Sequence, residues 1–240
     1  MSAEADPRSV ADRLRAVRAH IAEAATAAGR APADVRLIAV SKTHPVALIE
    51  AAAAAGQRAF GENTVQEALA KIPAFAGRGL EWHFIGHLQS NKARFLPGNF
   101  HWWHSLDALS LARRVARLAH AQAATLDALI EVNVSGDPRK HGIAPDALPA
   151  LLEELLREPL PGLRLRGLMT VGPHPAGEAE RRAAFARLRG LRDDARARFG
   201  LADFDELSMG MSGDYVEAIR EGATLVRIGS AIFGERDYSG

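Results

Sequence analysis

No cysteine occurs among the 240 residues, so disulfides, thiolate metal sites and a cysteine nucleophile are excluded, in keeping with a reducing compartment. No stretch approaches about 18 uninterrupted apolar residues, and the opening MSAEADPRSVADRL carries early acids and no apolar core. Neither a transmembrane helix nor a signal peptide is expected, and the chain reads as cytoplasmic with no membrane partner. Neither sign of charge dominates, with 30 Lys and Arg against 29 Asp and Glu, so no global field draws it to nucleic acid. P-loop, GxGxxG and HExxH motifs are missing. No Gly/Ser-rich linker divides the chain, and residues 1–240 are read as one domain.

What is present is an ordinary globular composition, 48% hydrophobic and 25% charged, arranged with a strong alternation. Val10, Leu14, Val17, Ile21, Ala25 and Ala28 recur at spacings of three and four and stop at Gly29, which predicts an amphipathic N-terminal helix. Eight apolar runs follow, at 35–40, 58–60, 82–86, 102–106, 126–134, 163–169, 205–210 and 224–230. Helix starts fall between them at Pro45, at Thr64 with Glu67 as a capping box, at Asp107, Asp146 and Glu178, and at Asp214 with Glu217. Strands alternating with helices imply parallel pairing, and eight such units in a chain of this length predict an α/β fold, a single closed (β/α)₈ TIM barrel with an extra N-terminal helix.

The active face of such a barrel lies at the C-terminal ends of its strands. Lys42 falls there, in "IAVSKTHP", and so do Asn63, Met169, Thr170, "MGMSGDY" (209–215) and "RIGSAIFG" (227–234). Ile38, Val40 and Lys42 share a face by the period of two. Lys42 has three readings: a snorkelling surface lysine, a phosphate-binding cation, or an amine that condenses with a carbonyl, for which burial near other cations would lower its pKa. Small residues then a helix start after strands 7 and 8 expose backbone N–H groups, an arrangement suited to an anion. Ser212 and Ser230 would add hydroxyls, and Gly213 and Gly229 would let the backbone approach a phosphate.

Other signals are read as structural. His101 and His104 of "HWWH" point to opposite faces of a strand and do not share a metal. His83 is read as a satisfied interior histidine, and the arginines of the 178–199 helix as a solvated face.

Six ordered motifs, "AVSKTHP", "FGENTVQEAL", "EWHFIGHLQSNK", "LRGLMT", "LSMGMSGDYVEAI" and "LVRIGSAIFGERDY", together resemble the YggS/PROSC family, whose members bind pyridoxal 5′-phosphate on the barrel of the alanine racemase N-terminal domain (fold type III). The resemblance implies a Schiff base between the cofactor and Lys42, with Arg227 facing the pyridine nitrogen. It further implies that Met211, Ser212, Gly229 and Ser230 hold the phosphate, that Asn63 lies beside the ring, and that Lys140 stands near the pocket mouth. His44 departs from members with a second lysine there, and His87 from members with proline. The implied role is cofactor and amino-acid homeostasis. A closed sheet needs no partner to cover its edges, so a monomer is expected, and a site with no covering second domain would let the cofactor pass to apo-forms of pyridoxal-phosphate enzymes as acceptors. The alternative is an amino-acid racemase. Such an enzyme needs an acid/base on each face of the substrate carbon, and neither Tyr215 nor Tyr238 matches the second base. A Schiff-base aldolase without cofactor would need a carboxylic acid/base beside Lys42 that the motifs do not show.

Overall fold

A computed structural model describes residues 7–234. The chain begins with helix α1 (Pro7–Ala27), whose Val10, Leu14, Val17 and Ile21 are buried, and Gly29 ends it with a φ of +70°. Strand β1 (Arg36–Val40) leads to α2 (Val46–Ala54), β2 (Ala59–Glu62) to α3 (Val65–Lys71), and β3 (Glu81–Phe84) to a 3₁₀ turn at Ser90–Phe95. Then follow β4 (Trp102–Leu106), α4 (Leu109–Ala121), β5 (Leu126–Glu131), α5 (Leu148–Leu156), β6 (Leu163–Met169) and α6 (Glu178–Phe199). β7 (Glu206–Ser208), α7 (Tyr215–Arg220), β8 (Leu225–Ile228) and α8 (Ser230–Phe233) complete the series. All eight strands are parallel, each pairs with the next, and β8 closes on β1 with Ile38 opposite Arg227. The expected closed barrel and its N-terminal helix are both present.

Alternation along each strand separates two cores. Leu37 and Ala39 point outward into the layer shared with the helices, while Ile38 joins Ala59, Trp102, Leu129, Met169 and Leu225 inside the barrel. α1 packs against α2, α7 and α8, and each large aliphatic side chain it buries is worth about 1.5–3 kcal/mol. No helix among the described residues is long and apolar enough to cross a membrane.

Several boundaries differ from the sequence reading. β5 ends at Glu131, three residues early, because the chain turns to bridge Val132 with Ile143 and the Asn133 amide donates to the Asp137 carbonyl at 2.8 Å. β7 ends at Ser208 because Gly210 takes a φ of +94°, where a Cβ would lie 2.6 Å from that of Ala218. Of the two expected capping boxes, one is half made and the other is not made. The Thr64 hydroxyl accepts from the Glu67 N–H, but the Glu67 carboxylate turns to Thr43 and Lys71. Asp214 stands at the N-cap of α7, yet its carboxylate takes the Met211 N–H at 2.6 Å and Glu217 pairs with Arg181. Asp107 precedes the Ala108 cap of α4. Tyr238 lies outside the described residues.

Candidate functional site

Lys42 sits two residues past β1, half-buried, in a turn held from below by α3. Thr43, a β-branched residue, has a φ of +66°, a left-handed conformation that persists only where its surroundings enforce it. The Glu67 carboxylate accepts the Thr43 N–H, and the Thr43 hydroxyl donates to the Lys42 carbonyl at 2.6 Å. On the other side of Lys42, Lys71 Nζ donates to the Ser41 carbonyl at 2.8 Å, to Glu62 Oε1 at 2.9 Å and to Glu67 Oε1 at 2.6 Å. Ser41 Oγ also donates to Glu62 Oε1 at 2.6 Å. Burial pushes the Glu62 carboxyl above its ordinary range, with Ser41 and Lys71 pulling it back. One buried cation between two carboxylates therefore fixes the peptide groups on both sides of Lys42.

A cavity of about 580 Å³ opens at the C-terminal mouth of the barrel. Arg227, buried on β8, forms part of its floor, donating to Ser208 Oγ at 2.6 Å and to the Thr170 carbonyl at 2.9 Å. Burial lowers its guanidinium to about 10, with Asp214 and Glu131 opposing, so it stays charged at neutral pH.

Glu131 ends β5 almost fully buried. Its carboxyl is raised to about 7 by burial and by Asp107, against the pull of Arg227. The folded protein therefore holds a proton there that the unfolded chain releases near pH 4.5, and stability falls as pH rises from about 4.5 to about 7. Glu131→Gln should remove this slope and gain up to about 3 kcal/mol over wild type at pH 8 relative to pH 4.5. Urea denaturation of both proteins at the two pH values checks it. Equal slopes would mean Glu131 is ionised throughout.

The far wall is made by the turns after β7 and β8. Among the described residues, the N–H groups of Ser212, Gly213, Ser230 and Ala231 have no backbone acceptor. Ser212, Gly213 and Ser230 line the cavity. Gly213 faces open space, whereas a Cβ on Gly229 would come 3.1 Å from the Val40 carbonyl. Gly229 thus serves the approach of β8 to the end of β1, a packing reason the sequence reading did not foresee.

Lys42, Asn63, Met211, Ser212, Arg227, Gly229 and Ser230 all line this one cavity. Lys140 stands apart from that lining: its Nζ donates to the Gly172 carbonyl at 2.6 Å and ties the loop after β5 to the loop after β6. His44 lines the cavity and packs against Phe233 at 5.1 Å, so an imidazole stands where a second amine would be. His87 stacks on His141 at 4.0 Å, joining the loops after β3 and β5. His101 accepts the Trp82 N–H while His104 faces the interior, and no group of three metal-ligating side chains occurs among the described residues.

Arg181 and Asp214 also line the cavity and were missed as site residues. Arg181 was counted with the solvated face of α6, yet the Glu217 carboxylate and the Ala176 carbonyl hold it at the mouth. Its arginine-rich context carries no local signal that sets it apart. Asp214 reads from the sequence as a helix start within the active-face segment 209–215, with no role of its own.

The alanine racemase N-terminal domain model matches residues 13–237. The chain is 51% identical to the pyridoxal phosphate homeostasis protein of Pseudomonas aeruginosa, over 96% of this chain and 97% of that protein. It is 45% identical to the Escherichia coli K12 protein of the same name, over 96% and 98%. PipY of Synechococcus elongatus, solved with pyridoxal phosphate bound, superposes with a TM-score of 0.83 at 39% identity, covering 94% of this chain and 100% of that one. Alanine racemase from Corynebacterium glutamicum, at 17% identity and a TM-score of 0.70, shares the fold, and the match covers 62% of its longer chain. Identity at this level along nearly the whole chain, on a barrel of the same eight strands, means that the chain belongs to the pyridoxal phosphate homeostasis family, built on the alanine racemase N-terminal domain.

Proposed function

We propose that this chain binds pyridoxal 5′-phosphate at the barrel mouth through a Schiff base on Lys42 and buffers or hands on the cofactor, in vitamin B6 and amino-acid homeostasis, without turning over a substrate. The observation that carries the reading is that an amine, a buried guanidinium and two turns rich in N–H donors open on the same cavity. Its volume suits a ring-sized ligand. The donor set fits the three polar ends of the cofactor: an aldehyde, a ring nitrogen and a phosphate. When bound, pyridoxal phosphate supplies an aldehyde open to amines and a ring that withdraws electrons from the carbon attached to it.

The residues then divide the work. Lys42 Nζ is the amine, presented by the clamped turn. Arg227, charged and donating away from the cavity to Ser208 and Thr170, disfavours a second positive charge on a ring nitrogen facing it. That weakens the electron sink that racemisation uses. Met211, Ser212, Gly229 and Ser230, which line the same cavity, would hold the phosphate, and Asn63 would stand beside the ring. Racemisation further requires a second base, and Tyr215, on α7, does not line the cavity.

We assign the chain to one domain over residues 1–240, a cytoplasmic monomer whose closed sheet has no edge for a partner to cover. Its acceptors are apo-forms of pyridoxal-phosphate enzymes. Mixing the loaded protein with the apo-form of an unrelated pyridoxal-phosphate enzyme should restore that enzyme's activity. Cofactor that stays fully bound over hours with excess acceptor would overturn the carrier role.

A further inference from the structure

Four hydrogen bonds cross the barrel interior from its mouth to its opposite end. Arg227 Nη1 meets Ser208 Oγ at 2.6 Å, Ser208 Oγ meets His104 Nδ1 at 2.9 Å, His104 Nε2 meets His83 Nδ1 at 2.9 Å, and His83 Nε2 meets Glu81 Oε1 at 2.8 Å. Arg227, Ser208, His104 and His83 are buried. Glu81 is the first residue of β3, at the end of the barrel away from Lys42, and pairs with Arg36 at 3.0 Å. Trp102 stacks on His83 with ring centroids 5.6 Å apart, fixing the imidazole plane.

The two ends determine the direction of every bond between them. A guanidinium only donates and a carboxylate only accepts, whereas a hydroxyl and a neutral imidazole do both. Burial lowers both histidines, His104 well below its ordinary value, so both rings are neutral at pH 7. Burial opposes the Glu81 charge too, but His83 and Arg36 outweigh it and hold the carboxyl at about 2. With Glu81 accepting, His83 carries its proton on Nε2 and accepts at Nδ1. His104 then donates from Nε2 and accepts at Nδ1 from the Ser208 hydroxyl. That leaves the Ser208 oxygen with a lone pair for Arg227. Reversing both rings would make Ser208 accept from His104 and Arg227 together and turn its own proton out of the chain, in a buried site where an unmade hydrogen bond is costly.

We infer that Glu81 is a positioning residue for Arg227, acting across the barrel through His83, His104 and Ser208 to hold the guanidinium in its place in the cavity floor. Its effect on the cofactor rests on the reading that Arg227 faces the pyridine nitrogen. The histidine tautomers are a property of the protein alone and can be measured without ligand.

Two substitutions separate orientation from charge. Glu81→Gln keeps an oxygen that accepts from His83 Nε2 and preserves the direction. Glu81→Leu removes the acceptor and leaves Arg36 to Glu206, 3.7 Å away. ¹⁵N spectra of the histidine rings in cofactor-free protein should show Nε2–H on both His83 and His104 in wild type and in Glu81→Gln, and a shift towards Nδ1–H in Glu81→Leu. Pyridoxal phosphate affinity, by fluorescence titration, should fall about fivefold in Glu81→Leu, the scale of one hydrogen bond, and stay near wild type in Glu81→Gln. Nδ1–H on either ring in wild type overturns the inference, and this test needs no variant to fold. So does a Glu81→Leu protein with wild-type tautomers and affinity. Tautomers that switch as expected in a protein that takes up no cofactor would instead defeat the functional proposal and leave the chain of hydrogen bonds standing.

Discussion

Ser212→Asp should weaken pyridoxal phosphate binding by roughly two to three orders of magnitude while leaving the fold intact. A carboxylate placed about 4 Å from a phosphate charge costs on the order of 4 kcal/mol at the effective dielectric of a protein surface, and each 1.4 kcal/mol is tenfold in affinity. Ser212 is partly exposed at the cavity wall, beside Gly213 whose Cβ position is empty, so the larger side chain is accommodated without repacking. Ser212→Ala, which removes one hydrogen bond and adds no charge, should cost only about fivefold. Fluorescence titration of both variants checks the pair. Equal affinities for Ser212→Asp and wild type would move the phosphate away from the turns after β7 and β8.

The second large effect belongs to stability. Lys71→Met should destabilise the protein by about 3–5 kcal/mol at pH 8, the usual cost of removing one partner from a buried ion pair, and lower Tm by roughly 6–20 °C for a domain of this size. Glu62 has no exposed surface, and its Oε2 has no hydrogen-bond partner among the described residues. Without Lys71 its carboxyl pKa rises further above the unfolded value. A raised carboxyl loses stability as pH climbs past the unfolded pKa, so the deficit is largest at pH 8 and shrinks towards pH 5. Lys71→Met combined with Glu62→Gln should recover most of the loss at pH 8. A deficit independent of pH and unrelieved by the second substitution would show that lost packing, not charge, is responsible. Because Lys71 also holds the Ser41 carbonyl, the single variant should release the turn that presents Lys42.

The eight strands were legible because each is a short apolar run set between helix starts, as expected of parallel strands buried on both faces, and Lys42 was legible because a cation stood at the end of one of them. Strand ends were harder. β5 stops where the Asn133 amide captures a loop carbonyl and β7 where Gly210 turns left-handed, local events that a hydrophobic pattern does not encode. Seven of the expected site residues line one cavity because they sit at the same ends of parallel strands, which topology alone ensures. Glu67 was read as half of a capping box, yet its carboxylate serves the turn beyond Lys42. That choice depends on β1 and α3 meeting in space. His83 was rightly read as satisfied and interior, but the link from His104 to Ser208 spans 104 residues of sequence, and Arg181 lay hidden among arginines of similar spacing. Partners across the barrel are set by closure of the sheet, which no local window contains.

Lys42 is the amine expected to take the cofactor. Wild-type protein loaded with pyridoxal phosphate, reduced with borohydride, digested and mapped by mass spectrometry should carry the pyridoxyl group on Lys42. An adduct confined to Lys71, Lys92 or Lys140 would contradict it.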